Sequence, residues 1–261
     1  MGILNITPDS FSDGGCYLDV GSAIERGIRM VEEGADIIDV GGESSRPGSD
    51  RISESDELGR VLPVLEALAV RVNVPISIDT LKPGVARRCL ESGACIVNDI
   101  RGLRDARMLS VAAAARASVV IMHMRGEPAT MQRDTTYVDV VGDVCSFLKT
   151  QSALAEQAGI REIAVDPGLG FGKSARQNFE ILARLEEFRS LGYPILVGPS
   201  RKSFLGSLAS RLPVEERLEG TLAAVATAVT KGAGVVRVHD VGECRRVVDV
   251  VDAIKEAGDA G

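Results

Sequence analysis

One alternation constrains this chain more than any other feature: short apolar runs end in polar residues, pass through a Gly- or Pro-containing loop, and enter a helix-like stretch. Gly2-Ile3-Leu4-Asn5, Ile76-Ser77-Ile78-Asp79 and Ala94-Cys95-Ile96-Val97-Asn98-Asp99 end in amides and acids. Val119-Val120-Ile121-Met122-His123, Ile163-Ala164-Val165-Asp166 and Val235-Val236-Arg237-Val238-His239-Asp240 repeat the arrangement. Strand and helix in alternation specify a parallel sheet with crossover helices. The pattern predicts strands near 2–6, 36–41, 75–79, 94–98, 118–123, 163–166, 194–198 and 234–239. Helices are predicted near 20–34, 54–71, 83–92, 105–116, 138–158, 176–191, 215–231 and 241–257. Gly34, Gly93, Gly159, Gly192 and Gly232 fall where helices should stop, each able to supply a left-handed C-terminal turn. Eight units with no linker or low-complexity tract between them predict a single-domain (βα)8 TIM barrel over residues 1–261. In such a barrel the polar strand ends share one face, where barrel enzymes keep their active sites.

Composition narrows the class. Tryptophan is absent and only 3% of residues are aromatic, so Val, Ile, Leu, Ala and Gly must fill the core, as suits parallel strands buried on both faces. A net charge of −7 argues against a general binder of nucleic-acid backbones, which needs a basic face. Cys16, Cys89, Cys95, Cys145 and Cys244 are scattered with no CxxC pair, which argues against a disulfide framework or zinc site and for the reduced thiols of a cytoplasmic protein. No signal peptide is visible in the opening residues, and no apolar run reaches the roughly 20 residues that span a bilayer.

Side chains two apart share a face of a strand, so Ser77 with Asp79, and Arg237 with His239, point toward the barrel axis while Ile76, Ile78, Val236 and Val238 meet the helices. The loop Asn5-Ile6-Thr7-Pro8-Asp9-Ser10-Phe11-Ser12-Asp13-Gly14-Gly15 is long and rich in small polar residues. In Gly41-Gly42-Glu43-Ser44-Ser45-Arg46-Pro47-Gly48 an arginine fork among glycines and hydroxyls suits an anion. Asp166-Pro167-Gly168-Leu169-Gly170-Phe171-Gly172-Lys173-Ser174 is not a nucleotide phosphate loop, because Pro167 stands where the first glycine is required. Its glycines fit a backbone approaching a flat ligand, with Phe171 covering an edge. Ser200-Arg201-Lys202-Ser203, Arg237 and His239 follow or end the last two strands, where barrels often bind phosphate. His123 and His239 are too few for a histidine metal site, but Asn5 could give one neutral oxygen to Mg²⁺ whose other ligands are water and phosphate.

These segments, in this order, resemble the dihydropteroate synthase family of folate biosynthesis over essentially the whole chain. Carrying the likeness are the opening Gly2–Gly15 motif, Gly41–Gly48, Asn98-Asp99-Ile100, Asp166–Lys173, Ser200–Ser203 and Arg237–Asp240. The resemblance implies a (βα)8 barrel that joins 6-hydroxymethyl-7,8-dihydropterin diphosphate to p-aminobenzoate, releasing diphosphate and 7,8-dihydropteroate. It implies that Asp79, Asn98, Asp166 and Lys202 surround the pterin, with Ile100, Met122, Phe171 and Gly198 as walls, and it favours Met122 over His123 as the inward residue. Asn5 would touch Mg²⁺ and diphosphate, and Arg237 and His239 the diphosphate. Ser45, Arg46 and Pro47, with Phe171, Ser200 and Lys202, would shape the p-aminobenzoate site. Asn5, Asp79, Lys202, Arg237 and His239 are the expected catalytic set, acids and amide on the heterocycle and cations opposite on its phosphorylated tail. The resemblance also implies a homodimer, a sulfonamide target, and no nucleic-acid or membrane partner. Ser45 departs from the family's usual threonine. The alternatives are a pterin-dependent methyltransferase barrel, a non-catalytic pterin-binding protein, and a synthase using a modified aminobenzene acceptor.

Overall fold

The computed structural model describes residues 1–7, 20–44, 51–128, 130–207 and 212–259. Eight parallel strands form one curled sheet in chain order: β1 (Gly2–Asn5), β2 (Ile38–Gly41), β3 (Ile76–Asp79), β4 (Ile96–Asp99), β5 (Ser118–Met122), β6 (Ile163–Asp166), β7 (Ile195–Val197) and β8 (Ala233–Val236). Every neighbouring pair is joined in the parallel sense. The first strand also meets the segment just past the last. Gly2 and Val238 form a parallel bridge, in which the Ile3 amide donates to the Val238 carbonyl at 2.9 Å and the Val238 amide to the Met1 carbonyl at 3.0 Å.

A helix follows each strand: α1 (Val20–Glu32), α2 (Glu54–Ala69), α3 (Pro83–Glu91), α4 (Ala106–Ala115), α5 (Val140–Gln157), α6 (Ala175–Ala183), α7 (Leu218–Thr230) and α8 (Val241–Asp259). Side chains start several of them. Ser53, Asp105 and Asp139 accept backbone N–H bonds at the first turns of α2, α4 and α5, and Ser174 with Gln177 forms a reciprocal capping pair on α6. All five glycines expected at helix ends have positive φ, from 80° at Gly192 to 114° at Gly93. The predicted sixth helix is shorter than expected. It stops at Ala183, and Leu185–Leu191 winds as a 3-10 helix. Leu185 and Phe188 are fully buried three residues apart, with Leu191 three further on, and a three-residue turn keeps that spacing on one face.

Strand alternation sorts the two faces of the sheet. Leu4, Ile38, Val40, Ile76, Ile78, Val97, Val119, Ile121, Ile163, Val165, Ile195, Val197 and Val238 belong to the large core between sheet and helices. The concave face is layered. Its floor is a separate cluster of Met1, Val120 and Leu196, with Ile37, Ile96, Ala164 and Val235 against it. Two residues beyond Ile37, Ile96, Ala164 and Val235 the inward positions are Asp39, Asn98, Asp166 and Arg237, and on β3 Ser77 and Asp79 lie beside them in register. Level with Asp166 and beyond it lies a third cluster of Ile100, Met122, Met124 and Met131, flanked by Leu81 and Phe171. No helix among the described residues is long and apolar enough to cross a membrane.

Candidate active site

Register brings the polar positions into a row. Asn5 pairs with Gly41, Gly41 with Asp79, and Asp79 with Asn98, so three strand ends present side chains at one height and the fourth presents none. A methyl group on Gly41 would lie 3.7 Å from Asn5 Oδ1 and 3.6 Å from the Asp79 Cβ, so glycine keeps open the space between them. Met122 pairs with Asp166 on the far side and faces inward with Ile100 and Phe171. His123 turns the other way, edge-on to Phe147 at 5.1 Å and beside Tyr137 at 6.2 Å.

Arg237 lies one residue beyond β8 rather than within the strand predicted to reach residue 239, although its amide still donates to the Val197 carbonyl at 2.9 Å. Its Nε donates to Asp39 Oδ2 at 2.6 Å and its Nη2 to Asp79 Oδ2 at 2.7 Å. Acids and cation are therefore interleaved, not set at opposite poles. A guanidinium surrounded by the strands must find carboxylates within its own layer, because an unpaired buried charge costs several kcal/mol. Burial opposes the Arg237 charge, but Asp39 and Asp79 more than offset it and hold its pKa above the usual value. Burial pushes the Asp79 carboxyl up to about 7 despite Arg237. It also raises that of Asp166, whose Oδ1 accepts the Gly168 amide at 2.7 Å.

Lys202 reaches in from the loop after β7. Its Nζ donates to the Leu169 carbonyl and sits 4.7 Å from the centre of the Phe171 ring, while burial lowers its pKa to about 8. Gly198 lies at its side: a methyl there would be 3.8 Å from Lys202 Nζ and 3.7 Å from the Arg237 Cβ. Ser200 joins the last two strand ends, its hydroxyl 2.9 Å from His239 Nδ1 and accepting the His239 amide at 3.1 Å. Arg201, at φ 56°, grips Asp240 through Nε at 2.9 Å and Nη2 at 2.5 Å, so a left-handed backbone between Ser200 and Lys202 is held by a bidentate pair.

A family model described as "Pterin binding enzyme" matches residues 1–239. The Escherichia coli K12 dihydropteroate synthase is 48% identical over 259 residues, covering 98% of this chain and 92% of its own length. The chain belongs to the dihydropteroate synthase family. The Xanthomonas albilineans dihydropteroate synthase with 4-aminobenzoic acid superposes with a TM-score of 0.91 at 43% identity, over 97% of this chain and 92% of that one. The same enzyme in complex with 7,8-dihydropteroate gives 0.88 at 41% identity, over 97% and 92%.

Against the dihydropteroate synthase pattern, Asn5, Asp79, Asn98, Ile100, Met122, Asp166, Phe171, Gly198, Ser200, Lys202, Arg237 and His239 all stand at the strand ends or in the loops just after them. Ser45, Arg46 and Pro47 lie outside the described residues, as does the opening loop beyond Thr7. Two residues escaped the sequence reading. Asp39, in the apolar run Ile37-Ile38-Asp39-Val40, is fully buried and shared by Arg237 and Asn98; an acid inside a strand is the signal that marked it. Lys173, quoted within the Asp166–Lys173 segment but given no role, donates to Gly168 O at 2.9 Å and Phe171 O at 3.1 Å and lies 3.0 Å from His123 Nδ1. Burial lowers its pKa to about 7, and burial together with Lys173 holds that of His123 down to about 2.

Proposed function

We propose that the chain condenses 6-hydroxymethyl-7,8-dihydropterin diphosphate with p-aminobenzoate to give 7,8-dihydropteroate and diphosphate. The observation that carries this reading is the inward row of Asp79 and Asn98 facing Asp166 and Lys202, a set of acceptors and one donor matching the amino-pyrimidine edge and ring acceptors of a pterin. Ile100, Met122 and Phe171 give the apolar walls, with Gly198 leaving room at the edge. In the reaction the bond between the exocyclic carbon and the diphosphate oxygen breaks with its electron pair leaving on diphosphate. The electron-rich pterin carries the resulting positive charge, favoured by Asp79 and Asp166. The aryl amine then forms the new C–N bond and loses a proton. Arg237 and His239, with Asn5, receive the departing diphosphate, and Ser200 fixes the His239 ring. Ser45, Arg46 and Pro47, with Phe171, Ser200 and Lys202, position p-aminobenzoate.

Mg²⁺ is the cation this donor set fits. Among the described residues no group of three His, Cys, Asp or Glu could hold a metal, so the protein would offer the Asn5 oxygen and leave the other positions to water and diphosphate. When bound, the ion neutralises charge on the leaving group.

The sheet is read as a closed, single-domain (βα)8 barrel over residues 1–261, supported by the bridge from Gly2 to Val238. A cytoplasmic homodimer fits the free Cys89, Cys95, Cys145 and Cys244, and Val250 and Ile254, one turn apart on α8 and 60% and 65% exposed. Sedimentation at the monomer mass would remove the dimer. Mass spectrometry of both substrates with Mg²⁺ tests the function itself: dihydropteroate should form, and its absence while both substrates are present would refute the reading. Formation of dihydropteroate also separates this reading from a methyltransferase barrel or a silent pterin binder.

A further inference from the structure

We infer that Asp39 is a positioning residue, whose one shared oxygen sets both the plane of the Arg237 guanidinium and the orientation of the Asn98 amide. The inference rests on the pterin reading above. Asp39 is fully buried on β2, one inward position below Gly41, which has no side chain to cover it. Its Oδ2 accepts Arg237 Nε at 2.6 Å and Asn98 Nδ2 at 3.0 Å, while its Oδ1 has no hydrogen-bond partner among the described residues. Two donors, one on β4 and one just past β8, thus converge on a single atom.

Each bond has a directional consequence. Only the NH₂ end of an amide can face a carboxylate, so Asp39 obliges Asn98 to turn its Oδ1 away, as an acceptor for ring N–H groups. A planar guanidinium tied at Nε to Asp39 and at Nη2 to Asp79 cannot turn about its Cδ–Nε bond. Its Nη1 edge and flat face are then presented in one direction. Asp39 acts through these two groups and touches no reacting atom. Ser77, its partner across β2–β3, has a buried hydroxyl without a hydrogen-bond partner among the described residues and serves neither group.

The test is Asp39→Asn, read by steady-state kinetics with each substrate varied and by calorimetry of pterin binding. Loss of a charge-assisted bond predicts a roughly 10- to 100-fold rise in KM for dihydropterin diphosphate and a fall in kcat, with the p-aminobenzoate KM within about twofold of wild type. Combined with Arg237→Lys, the loss should fall well short of the product of the single losses. Ser77→Ala should behave as wild type. Equal shifts in both KM values together with a lowered Tm would mean a merely structural role and overturn the inference, as would wild-type kinetics. If wild type makes no dihydropteroate, the synthase reading fails alone; calorimetry still decides Asp39, and equal pterin affinity in wild type and Asp39→Asn overturns it. Should Asp39→Asn not fold, Asp39→Glu keeps the charge but displaces it by one methylene, and must show the same selective loss.

Discussion

At Arg237 a single side chain links the segment just past β8 to two strands, with its fork divided between Asp39 on β2 and Asp79 on β3. An arginine among apolar residues needs a partner, but local sequence does not say which carboxylate is in reach, because residues 39 and 237 are 198 positions apart. The pairing also limits what Asp79 can do alone. Asp79→Asn removes an acceptor for pterin N–H groups and half of the arginine's anchorage. We expect kcat/KM for dihydropterin diphosphate to fall by about 10- to 100-fold, with weaker calorimetric affinity for the pterin. Unchanged affinity would take Asp79 out of the site.

Elements are held in place by two devices near the strand ends. The first is the loop from β6 to α6, where Gly168, Gly170 and Gly172 all have positive φ and Lys173 ties the carbonyls of residues 168 and 171 together. A methyl on Gly168 would sit 1.9 Å from the His123 carbonyl oxygen, so the loop packs backbone against backbone on the end of β5. Gly168→Ala should cost at least the ~1–3 kcal/mol of a strained left-handed residue, read as a lower urea midpoint, and should displace Phe171 and so weaken pterin binding. The second is Lys82, at the start of α3, which joins Glu43 after β2 to Glu57 on α2, the latter pair at 2.5 Å. Glu57 is fully buried, so Lys82→Met strands its charge and should cost about 3–5 kcal/mol in chemical denaturation. A change under 1 kcal/mol would show that Glu57 is relieved in another way.

Across the whole molecule the concave face is stratified into apolar floor, polar middle and methionine-rich mouth, and the middle layer gathers titrating groups from distant strands. Asp79 at about 7 must be ionised to accept pterin N–H groups, and Lys202 at about 8 must be protonated to donate. The kcat/KM for dihydropterin diphosphate should therefore rise with pH through about 7 and fall through about 8. A flat profile from pH 6 to 9 would refute that assignment. Much of the architecture was legible in the chain: each predicted strand exists, glycines end helices where expected, and inward and outward residues alternate as read. Boundaries drifted where periodicity was ambiguous, as after Ala183, where apolar residues at intervals of three were folded into a helix of longer period. Local sequence determines strand, turn and facing because those depend on φ/ψ preference and on a two-residue repeat carried by neighbouring residues. Which acid shares its oxygen with which amide, and whether a cation opposes the carboxylates or lies between them, depends on register between strands up to two hundred residues apart. Only the curling of the sheet decided that Arg237 would bind Asp39 and Asp79, since their attraction acts over a few ångströms and those distances do not exist until the chain has folded.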